Sequence, residues 1–144
     1  MKYAITSMHA NPIHPGHIEC LRLSKELCDE LWVIINNDKQ AELKRGVSSF
    51  QDEHYRKEVV GSIKYVDHVF ISIDDDGSVC KTINTLFLAI KNIDNKAEVI
   101  FTKGGDKFID NIPEKEICDS LGIKIIDGLG KKTHHSSQII SIFN

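Results

Sequence analysis

The chain has 144 residues, 41% hydrophobic and 27% charged, with a formal net charge of -3. That describes one globular domain, 1–144, with enough chain to bury a core; it argues against a protein that coats nucleic acid. No apolar run is long enough to span a membrane, residues 1–6 are too soon interrupted for a signal peptide, and Cys20, Cys28, Cys80 and Cys118 form no close pair, so a reducing cytoplasmic setting is expected.

In chain order, a first apolar strand is expected over 2–7, followed by the run Asn11-Pro12-Ile13-His14-Pro15-Gly16-His17. A helix is expected over 15–29, with Cys20, Leu21, Ser24, Leu27 and Cys28 on one face. Residues 31–36 are apolar without alternation, as in a strand covered on both sides. Lys44 and Arg45 fall in the loop expected after it. Asp52 caps a helix running to residue 65, with Tyr55, Val59, Ile63 and Val66 as its inner stripe. A third strand is expected over 68–73, and 74–77 reads as a solvated turn. Ser78 then caps a helix that turns Ile83, Leu86, Phe87 and Ile90 inward. A fourth strand covers 98–102. Asn111 and Glu114 suit a capping box for a short helix ending at Gly122, a fifth strand covers 123–126, and a last helix starts at Ser136.

Strands alternating with helices at this spacing give an α/β fold, a single Rossmann-like three-layer α/β/α domain with a five-stranded parallel sheet. In such sheets ligands bind beyond the carboxyl ends of the strands, at the topological switch point. The unusual residues of this chain collect at those ends. His14 and His17 follow the first strand, Lys44 and Arg45 the second, Gly104-Gly105-Asp106 the fourth, and Ser136-Ser137 the fifth. Two imidazoles and Gly16 at the mouth of a helix make an anion-binding corner, because the helix dipole and the first backbone N–H groups favour negative charge there. Arg56 either reaches a phosphate or pairs with Asp52 on the surface. Lys44 and Arg45 either cover a triphosphate or stay solvated. Asp74-Asp75-Asp76 reads as a turn and not as a metal site; no metal-ligating residues are assigned.

The run Met8-His9-Ala10-Asn11-Pro12-Ile13-His14-Pro15-Gly16-His17 resembles the first motif, G-x-F-[DN]-x-x-H-x-G-H, of the cytidylyltransferase-like nucleotidyltransferases, of the glycerol-3-phosphate cytidylyltransferase and heptose-phosphate adenylyltransferase type. His54-Tyr55-Arg56-Lys57 with Lys64-Tyr65-Val66-Asp67, and Lys103-Gly104-Gly105-Asp106-Lys107 with Asn111-Ile112-Pro113-Glu114, resemble later stretches of the same family. Met8 stands where the family has glycine, and Ala10 where it has phenylalanine.

The resemblance implies an enzyme that transfers a nucleoside monophosphate from a nucleoside triphosphate, CTP ahead of ATP. The acceptor is a small phosphorylated molecule such as a sugar or polyol phosphate, and pyrophosphate is released. His14, His17 and Lys44 are the catalytic candidates. Ser7, Met8, His9, Asn11, Gly16, Arg56, Gly104, Gly105, Asp106, Ser136 and Ser137 are the nucleotide-binding candidates. Mg2+ is expected to arrive with the triphosphate, and a homodimer is implied by the family alone. The missing glycine at Met8 motivates a second reading, a non-catalytic nucleotide-binding module.

Overall fold

The computed structural model describes residues 1–47, 50–105 and 112–130. The elements are β1 (Lys2–Met8), α1 (Pro15–Glu26), β2 (Glu30–Ile35), α2 (Asp38–Arg45), α3 (Glu53–Gly61), β3 (His68–Ile71), α4 (Cys80–Ile93), β4 (Glu98–Gly104), α5 (Lys115–Leu121) and β5 (Lys124–Leu129). The strands form one sheet in the order β3-β2-β1-β4-β5. All four pairings are parallel. The chain builds outward from β1 in one direction and then restarts at β4 in the other. The switch point therefore lies between β1 and β4, beyond their carboxyl ends.

Side-chain alternation along the strands divides the interior into two cores. Tyr3, Ile5, Trp32, Ile34, Val99 and Phe101 face Ile83, Leu86 and Ile90 of α4 and Cys118 of α5. Ala4, Leu31, Val33, Ile35 and Ile100 face Leu21 of α1 and Val60 of α3. Helices on both faces explain why β2 is apolar throughout. The three-layer α/β/α architecture and its five-stranded parallel sheet are as expected. Among the described residues no helix is long and apolar enough to cross a membrane.

Several elements differ from the expectation. Residues 38–45 form a helix, α2, where a loop was expected. Asn37 accepts from the Gln40 N–H, and the Gln40 side chain accepts from the Asn37 N–H, so the two close a capping box; Gly46, at φ 75, ends the helix. α3 stops at Gly61 and not at residue 65, and its buried side is Arg56 and Val60, while Tyr55 is 53% exposed. Asp74 is buried and caps α4, accepting from the Lys81 and Thr82 N–H groups at 2.8 and 3.0 Å; it is no solvated turn residue. Ser78 accepts only a long bond from the Cys80 N–H, at 3.4 Å. α5 begins after Glu114, which makes no side-chain cap. Asn111 of the expected capping box and the helix expected from Ser136 lie outside the described residues.

At the carboxyl end of β4, a Cβ on Gly104 would sit 2.9 Å from the Cys20 sulfur and 3.2 Å from the Leu129 carbonyl oxygen. The close approach holds α1, β4 and β5 together beneath the switch point. Gly104→Ala is expected to destabilise the fold by about 1–3 kcal/mol, because one neighbour is backbone and cannot rotate away. A thermal melt checks this; an unchanged midpoint would mean that the β4–β5 contact yields freely.

Candidate active site

The corner after β1 is built by two histidines that cap a helix. Pro15 occupies the first position of α1, where its fixed φ is already helical and its missing N–H is not needed. His14 is the N-cap, and its Nδ1 accepts from the Gly16 N–H at 3.1 Å. His17 reaches back, and its Nδ1 accepts from the His14 N–H at 3.0 Å. The rings lie against each other with centroids 3.8 Å apart and planes tilted by 32°. This is a capping box in which imidazoles replace the usual hydroxyl and carboxylate.

The geometry fixes the tautomers. A ring nitrogen that accepts an N–H carries no proton, so each neutral ring holds its hydrogen on Nε2. Each histidine thus takes a helix-start N–H at one nitrogen and presents another N–H at the next. This corrects the expectation that the first backbone N–H groups themselves face the anion. The His14 and Gly16 N–H groups are occupied by imidazole, and the His17 N–H bonds to the His14 carbonyl at 2.9 Å. The rings carry the polarity of the helix start outward.

Cations surround this corner. Burial pushes the His17 ring down to about 4, with His14 and Lys44 adding to the shift. Burial likewise pushes His9 down to about 4, helped in order by Lys44, Arg56, Lys103 and Arg45. Lys44 and Arg45 belong to the last turn of α2, and the Arg45 guanidinium donates to the Asn11 carbonyl at 2.9 Å. The end of α2 is thereby fastened to the loop before His14. Lys103, on β4, donates to the Ser7 hydroxyl at 2.9 Å across the switch point. Lys103 was not among the candidates from the sequence; its signal was its place at the end of β4, beside the two glycines.

The His9 and His17 rings stay neutral in the folded chain down to about pH 4, whereas an unfolded histidine takes its proton near pH 6.5. Between those values the unfolded state binds more protons, so stability falls as pH drops. We expect these two groups to leave stability level above about pH 6.5 and to lower it progressively towards about pH 4. Urea unfolding across that range measures the effect, and His9→Gln should flatten part of the slope.

The remaining candidates divide. Met8 extends β1 and is 8% exposed, its side chain packed in the core on the α1 side; it does not fill the corner. Ala10 adopts φ 49, the left-handed region that favours glycine. Asn11 is buried. Gly105, at φ 58, donates its N–H to Leu129 O at 2.9 Å and turns the chain beyond β4. Arg56 corrects the reading of a surface pair most sharply: it is 0% exposed and pairs with Asp38 and not Asp52. Asp106, Ser136 and Ser137 lie outside the described residues. An open groove of about 400 Å³ between α3 and β3, lined by His54, Lys57 and His68 among others, lies at the amino end of β3, away from the strand tips.

A doubly wound parallel sheet with a pair of helix-capping histidines at its switch point defines an α/β protein of the Rossmann-like class. The sequence profile of the cytidylyltransferase-like family matches residues 9–138. The chain belongs to this family of nucleotidyltransferases. It is similar to an FAD synthase of Pyrococcus abyssi, 34% identical over 113 residues that make up 78% of this chain and 69% of that protein. The bifunctional protein HldE of a Bradyrhizobium strain is 27% identical over 131 residues, 89% of this chain but 24% of that protein. Among solved structures, a lipopolysaccharide core biosynthesis protein from Thermoplasma volcanium superposes with a TM-score of 0.67 at 25% identity, covering 88% of this chain and 95% of its own.

Proposed function

We propose that this chain joins a nucleoside monophosphate to a small phosphorylated acceptor, drawing it from a nucleoside triphosphate that enters with Mg2+. An oxygen of the acceptor phosphate attacks the α-phosphorus, the bond to the bridging oxygen breaks, and pyrophosphate leaves. No covalent intermediate with the chain is needed, so the protein's work is alignment and charge neutralisation. The observation that carries the reading is the paired histidine cap, in which each Nδ1 accepts a backbone N–H and each Nε2 is left to donate away from the start of α1. His14 and His17 donate to the phosphate oxygens that gain charge as the bond breaks. Lys44 and Arg45 from α2 and Lys103 from β4 supply positive charge around them. Ser7, His9, Asn11, Gly104 and Gly105 are assigned to the nucleotide's surroundings on their positions at the strand ends, and Asp106, Ser136 and Ser137 on the sequence resemblance alone.

Among the described residues no group of three or more His, Cys, Asp or Glu side chains could hold a metal ion. Mg2+ enters as part of the triphosphate substrate, where it keeps several waters. The relatives called FAD synthase weigh towards ATP, because half of FAD is an adenosine monophosphate. CTP with a sugar or polyol phosphate is the competing pair. The buried side chain of Met8 weighs against the non-catalytic module, since it takes no room from the corner.

Pyrophosphate release tests the proposal. The four common triphosphates with Mg2+ are crossed with FMN and with sugar, polyol and aminoalcohol phosphates. The expected result is release from ATP or CTP with one acceptor, and a product whose mass is their sum less pyrophosphate. Folded protein that releases none with any pair overturns the proposal; nucleotide binding by calorimetry would then leave the binding module.

A further inference from the structure

Among the described residues Arg56 is the largest side chain that the fold seals completely, at 0% exposed. Such a charge is retained inside only when its donors are matched. Its Nε donates to the Gln51 carbonyl at 2.9 Å, one Nη to the His9 carbonyl at 2.8 Å and the Asn36 carbonyl at 2.7 Å, and the other Nη to the Asp38 carboxylate at 3.0 Å. Four separate stretches meet on one guanidinium: the lead into α3, the loop after β1, the end of β2 and the first residue of α2.

Not all of these joints depend on Arg56. The start of α2 is held independently: Asn37 donates to the Ser72 and Asp74 carbonyls, and Gln40 to those of Asp76 and Ser78. The Asp38 N–H also bonds to Glu53 of α3 at 3.0 Å. What Arg56 adds is the His9 carbonyl. It ties the loop leading to the histidine corner to the near end of the helix that carries Lys44. Arg45 ties the far end of the same helix to Asn11.

We infer that Arg56 and Asp38 are a positioning pair for the transfer reaction, holding the loop of His9 and helix α2 in one frame so that the imidazoles and Lys44 meet the same triphosphate. This rests on the nucleotidyl-transfer reading for its chemical consequence, and on geometry alone for the joint itself. Neither side chain touches the reacting atoms. Phosphoryl chemistry that relies on alignment is sensitive to this: a displacement of about 1 Å costs on the order of 100-fold.

The test uses Asp38→Ala, Asp38→Glu and Arg56→Lys in the full chain. Asp38 is 43% exposed, so its removal leaves no carboxylate-sized hole in the core, and Arg56 keeps the carbonyls of His9, Asn36 and Gln51 as acceptors, so Asp38→Ala is expected to fold. Its kcat should fall about tenfold or more while KM for the triphosphate changes little, because the alignment that Asp38 secures matters most as the bond breaks. Asp38→Glu should restore most of the rate, since it returns a carboxylate to the guanidinium. A kcat within twofold of wild type in Asp38→Ala overturns the inference.

A second readout does not need turnover. Lysine keeps the positive charge of Arg56, but its three donors on one nitrogen cannot serve the three carbonyls and the carboxylate that the guanidinium reaches. In Arg56→Lys the His9 loop should loosen and gain water, so the His9 ring, followed by NMR, should titrate about one pH unit or more above its position near 4. A His9 titration that stays in place in folded Arg56→Lys sinks the joint itself. If the wild type releases no pyrophosphate from any pair, the transfer reading fails while this arm still decides the geometry.

Discussion

His17→Ala is expected to cut pyrophosphate release by about 100-fold or more at saturating substrates. The ring is neutral at pH 7, since burial holds it near 4, so what is lost is a directed N–H donor and not a full charge. Its Nδ1 is fixed as an acceptor by the His14 N–H, so its Nε2–H is oriented before any ligand arrives. A preoriented donor needs no rearrangement as charge develops, which is why removing one is so costly. Alanine also deletes half of the capping box, which by itself costs about 0.5–2 kcal/mol of stability. His17→Gln separates the two effects. Glutamine at this third helical position is an ordinary capping-box residue, so it should restore most of the melting temperature. It has no aromatic ring to stack on His14 and reaches less far, so turnover should remain low. A His17→Gln protein with near-normal turnover would reduce the histidine to a cap.

Much of this site was legible because its parts are local. Pro15 and Gly16 between two histidines, after an apolar strand, define a helix start whatever the rest of the chain does. The strands were equally plain, since a sheet covered on both faces needs unbroken apolar runs such as that of β2. α2 was missed because it has almost no apolar face: only Gln40 and Ala41 of its eight residues are buried. Its signals were polar, Asn37 with Gln40 at its start and Gly46 at its end, and periodicity does not detect them. The consequence was local to function, for Lys44 and Arg45 sit on a rigid helix and not on a covering loop. Arg56 was misread for a different reason. A helix position that faces inward is expected to be apolar, and Tyr55 fits that pattern better. The four acceptors that make Arg56 the inward residue come from positions 9, 36, 38 and 51, which only the fold assembles.

Arg56→Ala should lower stability by about 3–5 kcal/mol, the range seen when the largest buried side chains are cut back to alanine. The loss has several parts. The carbonyls of His9, Asn36 and Gln51 lose donors in a place where the Asn36 carbonyl has little access to water. A large void opens beside Val60 and the end of β2, and neighbours held by α2's own bonds to residues 72–78 cannot collapse into it. Against a whole-domain stability of about 5–15 kcal/mol, this leaves a fold that melts about 10 °C lower or more. Arg56→Met tests which part dominates. It refills most of the volume but supplies no donor. If the void dominates, methionine recovers most of the melting temperature; if the unmatched carbonyls dominate, it recovers little. The second outcome is expected, because three carbonyls and one carboxylate converge on this guanidinium and none of the carbonyls can turn to another partner without moving the backbone that carries it. A melting temperature for Arg56→Ala within a few degrees of wild type would mean that water enters and satisfies those carbonyls, and that the stretches meeting there are held together by their apolar packing alone.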